Sequence, residues 1–224
     1  MAWAEISAAE LEERVNLGAS LASAEWQALS GDFAARADRF YTISTTYLYH
    51  LLPCNASTAV LRAKLDGFDP GIVAELTPGR HVLDFGAGLG TFCVLAHERG
   101  CLATYYDLPG PHADFAAWRF VYRHLPIPVI RGAPHSLTLS KRYDVVFSDA
   151  VMEHLADPLY WAGELADRVA PGGCFICLID PSGPADETPM HARVHLPDIF
   201  DRLYIHGLTP QRWLYHHSIW RRPL

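Results

Sequence analysis

VLDFGAGLG, running from Val82 to Gly90, is a short apolar strand that ends in three glycines, Gly86, Gly88 and Gly90. A helical pattern, TFCVLAHERG, follows it without a linker. Glycine is required where the chain turns sharply from strand to helix and where a ligand must lie against bare backbone. The spacing GxGxG differs from the GxGxxG of dinucleotide sites. Asp84 stands two residues before the first glycine. A carboxylate at a strand end accepts hydrogen bonds from an ammonium or from backbone amides, and it repels a pyrophosphate. The loop therefore reads as a seat for a cationic ligand.

Outward from this loop, short apolar runs alternate with helical segments. After HVLDFG come LATYYD, DFAAWRFVYRHL, IPVIRG, DVVFSD, PLYWAGELADRVA, CFICLID and LPDIFDRLYIHG, with RWLYHHSIW as the last strand. That order implies βαβ units. The expected fold class is α/β: one Rossmann-like domain with a mostly parallel twisted sheet, helices on both faces and a helical N-terminal cap. Residues 1–66 are assigned to the cap and 67–224 to the core. Pro53 and the CNAST stretch are expected to break the cap before a helix from Ala59 to Leu65. Tyr41, Tyr47 and Tyr49 with His50 suit a lid.

Asp107 closes LATYYD, 23 residues after Asp84. It either opens a turn before Pro109-Gly110 or accepts both hydroxyls of a ribose. Ligands of open parallel sheets bind outside the carboxyl ends of the strands, where Asp84, the glycines and Asp107 converge. The glycine loop tips the choice toward the ribose.

With these residues in hand, the chain resembles the class I S-adenosylmethionine-dependent methyltransferases over roughly residues 80 to 180. VLDFGAGLG resembles the family's first motif, with Asp107 as the acid of the second strand. YDVVFSDAVMEHLADP resembles the fourth-strand motif, and ELADRVAPGGCFIC the Pro-Gly-Gly entry to the fifth strand. The resemblance implies S-adenosylmethionine held by Asp84, Gly86, Ala87, Gly88, Gly90, Asp107 and Leu108. It puts Ser148 and Asp149 beneath the sulfonium. One departure stands out: Ala133 occupies the place of an acid that often meets adenine, leaving backbone or His135 for that contact.

For the chemistry, Glu153 and His154 follow the fourth strand at the crevice mouth, and a histidine titrates near neutrality. The pair either supplies a base or merely starts the next helix. Tyr41 joins them as a catalytic candidate from the lid. His191 and His195 lie on a loop after the fifth strand, where acceptor contact or a solvated loop is preferred to metal binding because prolines bracket the pair and no third ligand is obvious; no metal is expected. His216 and His217, with Trp213 and Tyr215, read as sheet residues. With a single strand after the last helix, the sheet looks one strand short, which hints at a partner chain and a homodimer.

Composition narrows the function. The chain has 224 residues, 50% of them hydrophobic and 19% charged, with a formal net charge of −7. Nucleic-acid binding rests largely on positive charge, and the basic cluster of Arg221 and Arg222 is only two residues long. No run of 18 apolar residues offers a membrane span. The acidic MAWAEISAAELEER start does not look like a secretory signal. Five cysteines without paired CxxC groups suit a reducing cytoplasm; Cys174 and Cys177, three apart on a strand, should point to opposite faces. The expected function is methyl transfer from S-adenosylmethionine to a small molecule, in a biosynthetic pathway. The alternative is cyclisation of S-adenosylmethionine as sole substrate, with release of methylthioadenosine.

Overall fold

In the computed structural model, which describes residues 6–55, 57–133, 135–185, 188–214 and 217–224, β1 (His81–Phe85) lies inside a seven-stranded sheet. Four of its five residues are buried, as expected of a strand covered on both faces. β2 (Leu102–Asp107) and β4 (Tyr143–Asp149) flank it in parallel; β3 (Val129–Arg131) lies beyond β2, and β5 (Val169–Leu178) beyond β4. The spatial order is β3-β2-β1-β4-β5-β7-β6, where β6 is Thr209–Leu214 and β7 is His217–Arg221. Only β7 runs against its neighbours.

Among the described residues five helices precede the sheet: α1 (Ala8–Ala28), α2 (Phe33–Ile43), α3 (Thr46–Asn55), α4 (Thr58–Phe68) and α5 (Pro70–Ala74). The chain marks where they begin. Ser7, Asp32, Ser57 and Asp69 each accept a hydrogen bond from an amide of the first turn, a cap worth about 1 kcal/mol. Within the sheet region come α6 (Thr91–Glu98), α7 (Pro111–Tyr122), α8 (Pro158–Asp167) and α9 (Leu196–Ile205).

Alternation along the strands splits the core in two. Val82, Tyr105, Val145, Phe147 and Cys174 pack against residues of α4 to α7. Leu83, Phe85, Val146, Phe175 and Cys177 face α8 and α9. Cys174 and Cys177 do lie on opposite faces. A third cluster joins Trp26 of α1 and Phe40 of α2 to Met190 in the loop after β5, which brings the first helices over the carboxyl ends of the strands.

Two expectations need correction. The sheet is not a strand short: RWLYHHSIW contributes to two strands, with β7 paired to both β5 and β6. The stretch carries no Gly or Pro to mark the reversal. The argument for a partner chain drawn from a missing strand falls with it. Tyr215 and His216, read as sheet residues, lie outside the described residues; His217 is in β7. Pro53 does not end its helix either, since α3 continues through it to Asn55. Among the described residues no helix is long and apolar enough to cross a membrane.

Candidate active site

At the carboxyl ends of β1, β2 and β4 the sheet opens into a cavity of about 560 Å³. The loop after β1 forms its floor. Gly86 (φ +68°) and Gly88 (φ +52°) adopt left-handed backbone, which glycine takes without strain. A Cβ on Gly86 would strike Val151, whereas one on Gly88 would meet only Leu51 Cδ1, at 3.5 Å, and so point into open space. Ala87 and Leu108 also border the cavity. Gly90 does not: it opens α6, and a Cβ there would lie 2.5 Å from Phe120 Cζ. Its role is close packing of two helices.

Asp107 ties the loop to the end of β2. Its Oδ2 accepts the Gly88 amide at 2.7 Å and its Oδ1 accepts the Leu108 amide at 2.7 Å. His112 Nε2 stands 3.2 Å from Oδ1. A carboxylate offers about four lone-pair sites, and these contacts occupy most of them. Burial disfavours charge on His112, but Asp107 outweighs it and holds its pKa above the ordinary value.

Asp84 is 3% exposed, with the Cys93 thiol donating to Oδ2 at 3.4 Å. Burial, helped by Asp107 and Asp149, pushes its pKa up to about 8. Such a carboxyl gains from a cation brought beside it. Asp149, at the end of β4, also borders the cavity and pairs with Lys64 of α4 at 2.6 Å. Ser148 does not reach the cavity. It is fully buried, because neighbours on a strand point to opposite faces and Asp149 takes the open side.

The roof comes from α2 and α3. Tyr41, Tyr47 and His50 border the cavity, whereas Tyr49 turns away to accept a hydrogen bond from Arg14 at 2.9 Å. The helical period separates Tyr49 from Tyr47 and His50. Ala133 and His135 lie at the rim, where His135 Nε2 sits 2.9 Å from Asp38.

After β4 the chain makes a 3-10 turn, Met152–His154. It presents His154 to the cavity, with Nδ1 2.7 Å from the Tyr41 hydroxyl. The Met190 carbonyl lies 3.4 Å from the same nitrogen and can only accept. This favours the tautomer with hydrogen on Nδ1 and the lone pair on Nε2. Burial, reinforced by His191, lowers the His154 pKa to about 3, so the ring is neutral at rest. Glu153 faces away, toward a smaller cavity of about 250 Å³. Its Oε1 accepts the Asp180 amide at 3.0 Å, Oε2 has no hydrogen-bond partner among the described residues, and burial pushes its pKa up to about 7.

His191 and His195 part company. His191 borders the cavity with its ring 4.6 Å from that of His154, while His195 is 70% exposed and pairs with Asp198. Glu153, His154 and His191 offer donor atoms within 4.8 Å of one another, a grouping that the sequence did not suggest. Sequence reasoning also missed Lys64 and His112. Each stands alone on a helix, with no motif around it.

A family model described as a methyltransferase domain matches residues 68–204. A ubiquinone biosynthesis O-methyltransferase of Ruegeria pomeroyi is 30% identical over 138 residues, 58% of this chain and 53% of that protein. The chain thus spans about half the length of the curated relatives it matches. Among solved structures, the PH0226 protein of Pyrococcus horikoshii superposes with a TM-score of 0.62 at 14% identity, covering 78% of this chain and 97% of that one. An S-adenosylmethionine dependent methyltransferase of Mesorhizobium loti gives 0.56 at 16% identity, covering 68% and 96%. Those structures share the fold, and the family model spans well over half of the residues. The cavity at the glycine loop thus sits on a known scaffold, and the chain belongs to the methyltransferase-domain family, with the Rossmann-like fold of its class I members.

Proposed function

We propose that this chain transfers a methyl group from S-adenosylmethionine to a small-molecule acceptor in a biosynthetic pathway. One observation carries the reading: Asp84, the Gly86–Gly88 loop and Asp107 border the same cavity as Tyr41 and His154. The residues suit the cofactor. Gly88 leaves open space above bare backbone, and Asp84 is a buried carboxyl whose charge is disfavoured by burial and by Asp107 and Asp149.

When bound, S-adenosylmethionine supplies a methyl group already activated on a sulfonium. The protein has then to align, to exclude water and to manage a proton. Gly86, Ala87 and Gly88 hold the amino acid end, Asp84 receives its ammonium, and Asp107 with Leu108 holds the ribose. Tyr41 and Tyr47, from the cap formed by residues 1–66, close the roof over the sulfonium. His154 takes the acceptor's proton on Nε2 while Tyr41 steadies Nδ1.

The cavity volume and the net charge of −7 favour a metabolite over a nucleic acid. The relatives named for ubiquinone biosynthesis support the pathway reading. Free cysteines throughout suit a cytoplasmic setting. The test is incubation with S-adenosylmethionine and a panel of phenols, carboxylates and amines, followed by mass spectrometry. Acceptor-dependent S-adenosylhomocysteine with a matching methylated product supports the proposal. Methylthioadenosine released without any acceptor would replace it with cyclisation.

A further inference from the structure

Glu153 grips both ends of the loop that joins β5 to α9. Its Oε1 accepts the Asp180 amide at 3.0 Å, and its main-chain carbonyl accepts the Ala192 amide at 2.6 Å. Between those bonds the loop brings Met190 and His191 to the wall of the main cavity. Met190 packs with Trp26 and Phe40 of the cap, and its carbonyl lies 3.4 Å from His154 Nδ1. The His191 ring stands 4.6 Å from that of His154. Asp180 carries the grip further: its Oδ1 accepts the Ser182 amide at 3.0 Å, while Oδ2 lies 3.6 Å from His191 Nδ1. A path of contacts thus runs from Glu153 through Asp180 to His191, and returns to His154, the next residue along the chain.

A carboxyl is a costly choice for this place. Glu153 is fully buried, and burial holds its pKa well above the ordinary carboxylate range. An apolar side chain of similar size would be cheaper to bury, but it would leave the Asp180 amide without its acceptor. The acid therefore contributes location more than stability. We infer that Glu153 is a positioning residue for the methyl acceptor: by holding Asp180 and Ala192 it sets His191 beside His154 and so fixes where the acceptor lies. This rests on the methyl-transfer reading above. The Ala192 bond uses main chain, so the side chain governs the Asp180 end alone. That role asks for a hydrogen-bond acceptor and not for a group that gains or loses a proton. Glutamine offers the same kind of oxygen, whereas methionine fills the volume with only a weakly accepting sulfur.

Measurements on the full chain test this. Hydrogen exchange read by mass spectrometry follows the loop, and steady-state kinetics uses whichever phenol, carboxylate or amine of the panel above the wild type methylates fastest. Glu153→Met should speed exchange across residues 180–192 by roughly 10-fold, the scale of one hydrogen bond to a buried carboxyl. It should raise KM for that acceptor by a similar factor, with kcat within about threefold and calorimetric affinity for S-adenosylhomocysteine within about twofold. Glu153→Gln should stay close to the wild type throughout. Unchanged exchange in Glu153→Met, or faster exchange with an unchanged KM, overturns the inference while leaving methyl transfer intact. So does a Glu153→Gln protein as impaired as Glu153→Met, which would give this carboxyl a proton to carry. Wild-type protein that methylates no member of the panel, or that releases methylthioadenosine without one, overturns both. If Glu153→Met fails to fold, Glu153→Ala serves for the same comparison.

Discussion

The Tyr41 hydroxyl and His154 Nδ1 stand 2.7 Å apart although 113 residues separate them in the chain. The contact joins α2 to the turn after β4, so one hydrogen bond links the roof to the proposed base. Tyr41→Phe keeps the ring packed against Phe40 and Tyr47 but removes the hydroxyl. The expected result is a loss of about 1 kcal/mol in kcat/KM, roughly fivefold, carried by kcat. Steady-state kinetics with an identified acceptor checks it, and calorimetry should find cofactor affinity nearly unchanged. A change in affinity alone would place Tyr41 in binding instead.

Gly88→Val tests the floor. A side chain there enters open space that the ligand needs, and β-branched residues tolerate the left-handed backbone poorly. S-adenosylhomocysteine should then give no measurable heat at concentrations that saturate the wild type. Full binding by the variant would mean that the ligand lies elsewhere.

Removing the acid of β2 should have two effects. Asp107→Ala leaves the Gly88 and Leu108 amides without an acceptor and His112 without its partner. A loss of about 1–3 kcal/mol in cofactor affinity is expected, together with a lower melting temperature before any ligand is added. Thermal melts with and without S-adenosylhomocysteine distinguish the two, because binding adds stability by mass action. An unchanged apo melting temperature would show that the loop does not depend on this carboxylate.

The sheet predicts an acid response. Burial alone would raise the Glu75 pKa, but hydrogen bonds from Arg80 and Arg221 hold it below the ordinary value. Arg80 reaches Oε2 at 2.6 Å, and Arg221 of β7 grips Oε1. A depressed carboxylate adds stability above its unfolded pKa, near 4.3, and that stability drains away as the pH falls through the folded value. Glu75→Gln should cost about 1–3 kcal/mol at neutral pH. It should also flatten the fall in melting temperature below about pH 5. Parallel melting curves for the two proteins across that range would argue against the pairing.

What the sequence allowed to be read follows from what is local. β1, β2 and β4 are continuous apolar runs, and a parallel sheet gathers their carboxyl ends whatever the side chains do, so the meeting of Asp84, Gly88 and Asp107 was foreseeable. Gly90 and Ser148 were assigned to the ligand because they stand within two of the motifs that carry the family resemblance. Yet Phe120 claims the space above Gly90, and the strand period turns Ser148 inward. Lys64 and His112 were invisible, since each gains its meaning from a partner brought close by the fold. The β6–β7 reversal was missed because no turn residue announces it.

The place of β7 between β5 and β6 has a bearing on how the polypeptide matures. β6 is synthesised first but has nothing to pair with until β7 arrives to separate it from β5. A nascent chain paused before residue 217 therefore carries an open flank on β5 and an unattached β6, both suited to wrong partners on a crowded ribosome. Closure must wait until Arg221 has left the exit tunnel.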